Sequence, residues 1–174
     1  MISPTRLHIR LAGPGDARQL AELAARTFRD AYGVANSPED LALHLGTHFT
    51  AERMGALLED PACATLVAEV DGIPAGYAQI QSAEPPPLLG TGGVMLRRFY
   101  LEQAWIGRGI AQALMQAVRA EAGRRGAGFL WLTVWEQSPR AIAFYRKCGF
   151  IEAGTTPFTL GTSVQRDLLM SLRL

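Results

Sequence analysis

Gly107 and Gly109 stand two residues apart in Ile106-Gly107-Arg108-Gly109-Ile110-Ala111. The strand-like run Phe99-Tyr100-Leu101 precedes them, and an amphipathic stretch follows. The first turn of a helix leaves backbone N–H groups unpaired and carries the positive end of the helix dipole. Together these suit a phosphate-bearing ligand. Glycine at both positions lets the backbone approach such a ligand with no Cβ in the way. A Gly-x-Gly turn is also an ordinary way to pass from strand to helix, so the flanking pattern has to decide.

A second group lies downstream. Trp135-Glu136-Gln137-Ser138-Pro139 closes the apolar run Phe129 to Trp135, and Tyr145 follows in the next helical stretch. Ser138 fits a helix N-cap and Pro139 the first helical turn. Glu136 is a carboxylate at the carboxyl end of a strand, where a cleft can open, and the helix dipole favours it there even as a solvated charge. Tyr145, with Ala141, Ile142 and Phe144, also reads as helix-face packing. His44 and His48 are four apart on a helix but have no third ligand and no His-Glu-x-x-His pattern, so no metal site is expected. Cys63 and Cys148 form no metal or redox motif, and a reduced cytoplasmic setting is the simplest expectation.

The elements that must position these groups follow from periodicity and punctuation. Leu7 to Leu11 reads as a strand, and Gly13-Pro14-Gly15-Asp16 starts a helix with Leu20, Leu23, Ala24 and Phe28 on one face. Ser37-Pro38-Glu39-Asp40 starts a second helix, with Ser37 as N-cap and Asp40 as the capping-box acid. Thr50 to Arg53 starts a short third. Ala64 to Val70 and Ile73 to Ile80 form a hairpin about Asp71-Gly72. Pro85-Pro86-Pro87 forces a loop. Val94 to Leu101 is the next strand, and Arg108 to Arg125 a long helix striped by Ile110, Leu114, Val118 and Ala122. Phe129 to Trp135, Phe150 to Thr156 and Val164 to Leu172 are the remaining strands, with a helix from Ser138 to about Cys148. The strand–helix–strand crossover implies a parallel pair inside a mixed sheet. A ligand can enter where parallel strands part.

Bulk properties exclude several classes. The 174 residues suit one α/β domain with a substantial core. With 17 basic and 16 acidic residues the net charge is +1, so nothing points to nucleic acid. The longest apolar runs are too short to span a bilayer, so no membrane partner is expected. Met1 to Ile9 lacks the basic and apolar regions of a signal peptide.

On the loop at 106–111 and the segment Trp131 to Phe150, taken in order, the chain resembles the GNAT superfamily of acyl-CoA-dependent N-acetyltransferases. Within it, Asp30, Asn36-Ser37-Pro38-Glu39, Phe49-Thr50, Trp135-Glu136, and the ending Phe158, Gly161, Gln165, Asp167 and Met170 resemble the PaiA-type polyamine N-acetyltransferases. The resemblance implies one GNAT domain over residues 1–174. Its mixed, mostly antiparallel sheet would have about seven strands, split between strands four and five and flanked by helices.

It also implies acetyl-CoA as cosubstrate and direct attack on the thioester by a small-molecule amine in a ternary complex, a polyamine being favoured. Cofactor contacts would come from Phe99, Tyr100, Leu101, Ile106, Gly107, Arg108, Gly109, Ile110, Ala111, Gln112 and Ser138. A backbone N–H at the end of Phe99-Tyr100-Leu101 would donate to the thioester oxygen. Tyr145 would be the acid for the leaving thiolate, by an ordinary pKa near 10 set against about 8.5 for a thiol. Glu136 would take the amine or relay its proton, and Tyr32, Trp135 and Glu136 would bind the substrate. Ile106 replaces the family's Gln or Arg, so weaker acetyl-CoA binding is expected, with the Ile106 N–H still available and its side chain packed under the loop. Ser138 replaces the usual Asn, leaving capping as its main role. The alternatives are a peptide or other small-amine acetyltransferase, or a non-catalytic acyl-CoA-binding regulator. Folds of this kind also form homodimers.

Overall fold

Alternating apolar side chains assemble seven strands into one sheet, ordered β1-β2-β3-β4-β5-β7-β6. A computed structural model describes residues 6–174. The reading of Met1 to Ile9 as leaderless therefore lies partly outside the described residues. The strands are β1 Leu7–Leu11, β2 Cys63–Val70, β3 Ile73–Gln81, β4 Gly93–Leu101, β5 Phe129–Trp135, β6 Ile151–Leu160 and β7 Ser163–Arg173. The helices are α1 Ala17–Tyr32, α2 Pro38–His48, α3 Ala51–Glu59, α4 Ile110–Arg124 and α5 Pro139–Lys147. Every strand pair is antiparallel except β4 with β5. No helix among the described residues is long and apolar enough to cross a membrane.

Helices cover both faces. Ile110, Leu114, Val118 and Ala122 of α4 join Leu66 and Ala68 of β2 and Leu130, Leu132 and Val134 of β5 in one core. Leu20, Leu23, Ala24 and Phe28 of α1 join Met54, Val67, Tyr77 and Leu160 in a second. Val67 lies between Leu66 and Ala68, so strand alternation places the two cores on opposite faces. Each fully buried Leu contributes roughly 1.5–3 kcal/mol, so the stripe on α4 fixes that helix firmly over the sheet.

The hairpin turns at Asp71 (φ 51°) and Gly72 (φ 80°), as its sequence expects. Other boundaries shift for local reasons. Helix α4 starts at Ile110 rather than Arg108, because Gly109 is left-handed at φ 81°. Ser37 caps α2 by accepting from the Asp40 N–H. Asp40 does not complete a capping box there; its carboxylate accepts from the Thr162 N–H at 2.9 Å, pinning the β6–β7 hairpin to α2. Strand β6 runs through Pro157 to Leu160, four residues beyond the expected end. It is an edge strand, where a missing N–H is tolerated.

The parallel pair is short. Only Gly93, Val94 and Met95 align with Phe129, Leu130 and Trp131. Beyond them β4 and β5 separate, and the carboxyl half of each borders a gap.

Candidate active site

That gap holds a cavity of about 350 Å³, lined by β4, β5, the loop before α4, α5 and the end of α1. Its size suits a small ligand or part of a larger one.

The loop forms one end. Gly107 and Gly109 both sit at φ 81°, and a Cβ built on either meets nothing within 4 Å. Both border the cavity. Among the described residues, no backbone carbonyl accepts from the N–H groups of residues 107–112. These amides, at the positive end of α4, have the chemistry to receive an anion with backbone donors alone. Ala111 and Gln112 border the cavity, whereas Ile110 turns its side chain into the core at 4% exposure and can offer only its N–H. The Ile106 N–H is not available as expected; it donates to the Gln103 carbonyl at 3.2 Å. Nor does Ile106 pack under the loop. Its side chain is 36% exposed and borders the cavity. Arg108 is absent from the lining, and its guanidinium lies 5.2 Å from the Trp105 ring centre.

Phe99, Tyr100 and Leu101 bring the end of β4 to the cavity, and Tyr145 faces them from α5. Phe99 stacks on Phe144 at 5.4 Å and meets the Tyr145 ring at 6.3 Å. Burial pushes the Tyr145 hydroxyl above its ordinary pKa, with Tyr32 and Cys148 adding to the rise. The group is therefore a neutral phenol at neutral pH. Ser138 borders the cavity but makes no side-chain cap; its φ of −107° and ψ of 67° turn the hydroxyl away from the capping position. The Ile142 N–H reaches the Ser138 carbonyl instead.

The α1 side is aromatic and polar. Tyr32 and Tyr100 both border the cavity. Burial raises both phenols. Trp135 is outside the lining, with its ring 5.9 Å from that of Tyr32. Glu136 is also outside it, and accepts from Arg166 Nε at 2.6 Å. Phe28 is core, at 4% exposure. His44 stacks on Phe28 at 4.7 Å and His48 lies against His44, so this pair acts as aromatic packing. Among the described residues no cluster of three or more His, Cys, Asp or Glu side chains could hold a metal ion.

Sequence reasoning missed several lining residues. The buried Thr27 and the exposed Asp30 come from α1, Arg98 from β4 and Thr133 from β5. Arg98 is buried, donates to Gln79 Oε1 at 2.9 Å and lies 4.4 Å from the Phe49 ring centre. Burial lowers its pKa. The available signal was a polar residue at an inward position of an apolar strand, as both Arg98 and Thr133 are.

The parted strands, the free amides before α4 and the Tyr145 phenol stand together around one cavity. Residues 17–150 match the Acetyltransferase (GNAT) family model. The chain belongs to this family and is an N-acetyltransferase. It is 37% identical over 155 residues to an uncharacterized N-acetyltransferase of Mycobacterium tuberculosis, covering 89% of this chain and 96% of that protein. An uncharacterized N-acetyltransferase of Lactobacillus delbrueckii subsp. lactis is 29% identical over 164 residues, covering 91% and 92%. The PaiA N-acetyltransferase of Thermoplasma acidophilum, solved in complex with coenzyme A, superposes with a TM-score of 0.80 at 18% identity, covering 97% of this chain and 99% of that one. YncA of Salmonella typhimurium, solved with its cofactor acetyl-CoA, gives 0.68 at 21% identity, covering 97% and 94%.

Proposed function

We propose that the chain transfers acetyl from acetyl-CoA to a primary amine of a small molecule, a polyamine by preference, by direct attack within a ternary complex. The observation that carries this reading is the continuity of the cavity. It runs from the unpaired amides of α4, past the β4 end and Tyr145, to Tyr32 on the far side. The CoA and acetyl-CoA bound to the PaiA and YncA proteins favour the same cosubstrate here. The polyamine preference draws on the likeness to PaiA and on the motif residues shared with that type.

In this reading the amides of 107–112 hold the pyrophosphate. Gln112, Ser138 and the parted edge of β4 hold the arm that leads to the thioester. An alkylamine with a reference pKa near 10.4 must lose a proton before attack, which costs roughly 4.6 kcal/mol at neutral pH. The partly apolar cavity lowers that cost by disfavouring the ammonium form. A β4 backbone N–H donates to the thioester oxygen as it gains charge. The C–S bond then breaks, and the proton lost by the amine is balanced by one gained at sulfur.

Tyr145 supplies a hydrogen bond and then a proton to that sulfur. Free-standing transfer from a phenol to a thiolate is uphill by roughly 1.5 pH units, about 2 kcal/mol. Burial of Tyr145 widens the gap. The phenol therefore acts as a donor throughout C–S cleavage, and proton delivery is completed as the amine's proton replaces its own. Glu136, bound to Arg166 outside the cavity, takes no proton-transfer step.

The test is thiol release from acetyl-CoA with a panel of polyamines, monoamines and peptides. Turnover with polyamines upholds the reading. Turnover with peptides alone would move the substrate to a peptide α-amine. Tight acetyl-CoA binding with no turnover on any acceptor would make the chain a CoA-sensing regulator. Release of CoA in a burst without amine would replace the ternary complex with a covalent route.

A further inference from the structure

Arg97, Arg98 and Arg140 all border the cavity, but only Arg98 is buried, at 9% exposure. A buried arginine is ordinarily matched by an acid. Among the described residues no carboxylate forms an ion pair with this one. Its partners are neutral. Nη1 donates to Gln79 Oε1 at 2.9 Å and Nη2 to the His48 carbonyl at 3.5 Å, and the Phe49 ring centre lies 4.4 Å from its central carbon. These contacts engage the guanidinium and leave its charge unmatched.

The place of that charge follows from strand alternation. Arg98 is two residues before Tyr100 and shares its face of the sheet, while Phe99 and Leu101 point to the other. Phe99 and Leu101 pack with the α4 core, and Tyr100 packs with that of α1. The free amides at the start of α4 belong with the Phe99 face. Arg98 is therefore across the sheet from the proposed pyrophosphate and on the α1 side of the cavity, with Thr27 and Tyr32. That is the end left for the acceptor.

Nothing close by cancels the charge. Burial raises the phenols of Tyr77 on β3 and Tyr100 on β4 and the thiol of Cys63 on β2, and it lowers His44 and His48 on α2. All five are neutral at neutral pH. Arg53 on α3 and Arg97 are exposed and of the same sign. Asp30, the carboxylate among the lining residues, is exposed, and water screens exposed charges. In protein of effective dielectric about 20, a unit charge about 10 Å away moves a titration by on the order of one pH unit.

We propose that the fixed charge of Arg98 drives the bound acceptor amine towards its neutral, nucleophilic form. This rests on the N-acetyltransferase reading above. The ammonium gives one proton to water at the open, Asp30 side of the cavity, and the freed lone pair forms the C–N bond. The charge raises the free energy of the bound ammonium. It scarcely alters the transition state, in which nitrogen gains positive and oxygen negative charge side by side. Its removal therefore lowers kcat and KM together and spares kcat/KM.

The probe is isotope-labelled butylamine, titrated by NMR in the complex of the enzyme with CoA. In the wild type the bound amine should titrate about one pH unit or more below the free amine. Arg98→Met should move that titration, and the acid limb of kcat, up by about one unit. At about pH 7 its kcat and KM should both fall about tenfold. Gln79→Met removes the hydrogen-bond partner and keeps the charge, so both titrations should stay in place. Should Arg98→Met fail to fold, Arg98→Gln replaces it with the same direction expected. A wild-type amine that titrates at or above its free value would overturn the inference. So would an unmoved titration in a folded Arg98 variant, or an equal shift in Gln79→Met, with acetyl transfer left standing in each case. An enzyme that binds acetyl-CoA and butylamine but turns over no amine would sink the proposed function instead, and the NMR titration would still decide the role of Arg98. Failure to bind any amine would overturn both.

Discussion

The rings of Phe99 on β4 and Tyr145 on α5 meet edge to face, with centroids 6.3 Å apart and planes at 71°. The contact spans the place where the sheet parts, so ring packing positions the Tyr145 side chain there. Phenylalanine at position 145 keeps that packing and removes only the oxygen. Tyr145→Phe should lower kcat by about 10²- to 10⁴-fold, the range of a positioned proton donor. The melting temperature and the acetyl-CoA dissociation constant should stay close to wild type. Near-normal turnover in this variant would take Tyr145 out of the chemistry.

Gly109 tests the cradle. At φ 81° an alanine pays a conformational penalty of roughly 1–2 kcal/mol. Its Cβ would also project into the open space where the pyrophosphate is proposed to lie. Gly109→Ala should weaken acetyl-CoA binding by about fivefold or more, read by calorimetry. Gly123→Ala is the matched control. Gly123 lies within α4, is exposed and has nothing within 4 Å of an added Cβ. That change should stabilise the chain by about 0.5–1 kcal/mol and leave cofactor affinity alone. Equal effects on binding from both variants would remove the special role of the loop.

These two residues also mark what the sequence made legible. Gly107 and Gly109, the α4 stripe and the Asp71-Gly72 turn are local or periodic features, and short-range physics reports them directly. Other features depend on contacts far along the chain. Strand β6 continues through Pro157 because it lies at the sheet edge, and its own composition does not show this. Ser138 has the right type and place for a cap, but its backbone angles carry the hydroxyl elsewhere. Glu136 stands at the strand end as expected, yet Arg166, 30 residues away, takes its carboxylate. The pairing of Asp167 with Trp135 and of Gln165 with Phe158 emerges only from the strand register.

Ile106 offers the converse of a loss-of-function test. Its side chain borders the cavity at 36% exposure, and its N–H is taken by Gln103. The position thus gives a ligand no donor at all. Ile106→Gln adds an amide there with little disturbance to the core. One neutral hydrogen bond contributes about 0.5–1.5 kcal/mol, which is a roughly 2- to 12-fold tightening of acetyl-CoA. Unchanged or weaker binding would mean that the pyrophosphate lies out of reach of this side chain.

His44 makes stability depend on pH. Its ring stacks on Phe28 at 4.7 Å and lies edge-on to Phe158. Burial, then the neighbouring His48 and Arg98, pushes its pKa down to about 4. His48 moves in the same direction, again chiefly through burial. A histidine whose folded pKa lies below the unfolded value near 6.5 binds its proton more readily in the unfolded chain. The associated stability is complete above about pH 6.5 and declines as the pH falls toward about 4. Asp167 works the other way. Burial raises its carboxyl, so its contribution improves as the pH falls and cannot produce that decline. The melting temperature should therefore be lower at about pH 5 than at about pH 7. His44→Phe keeps a ring on Phe28 and removes the titrating group, so it should flatten the drop. A variant that loses as much stability as wild type over that interval would show that His44 is not its source.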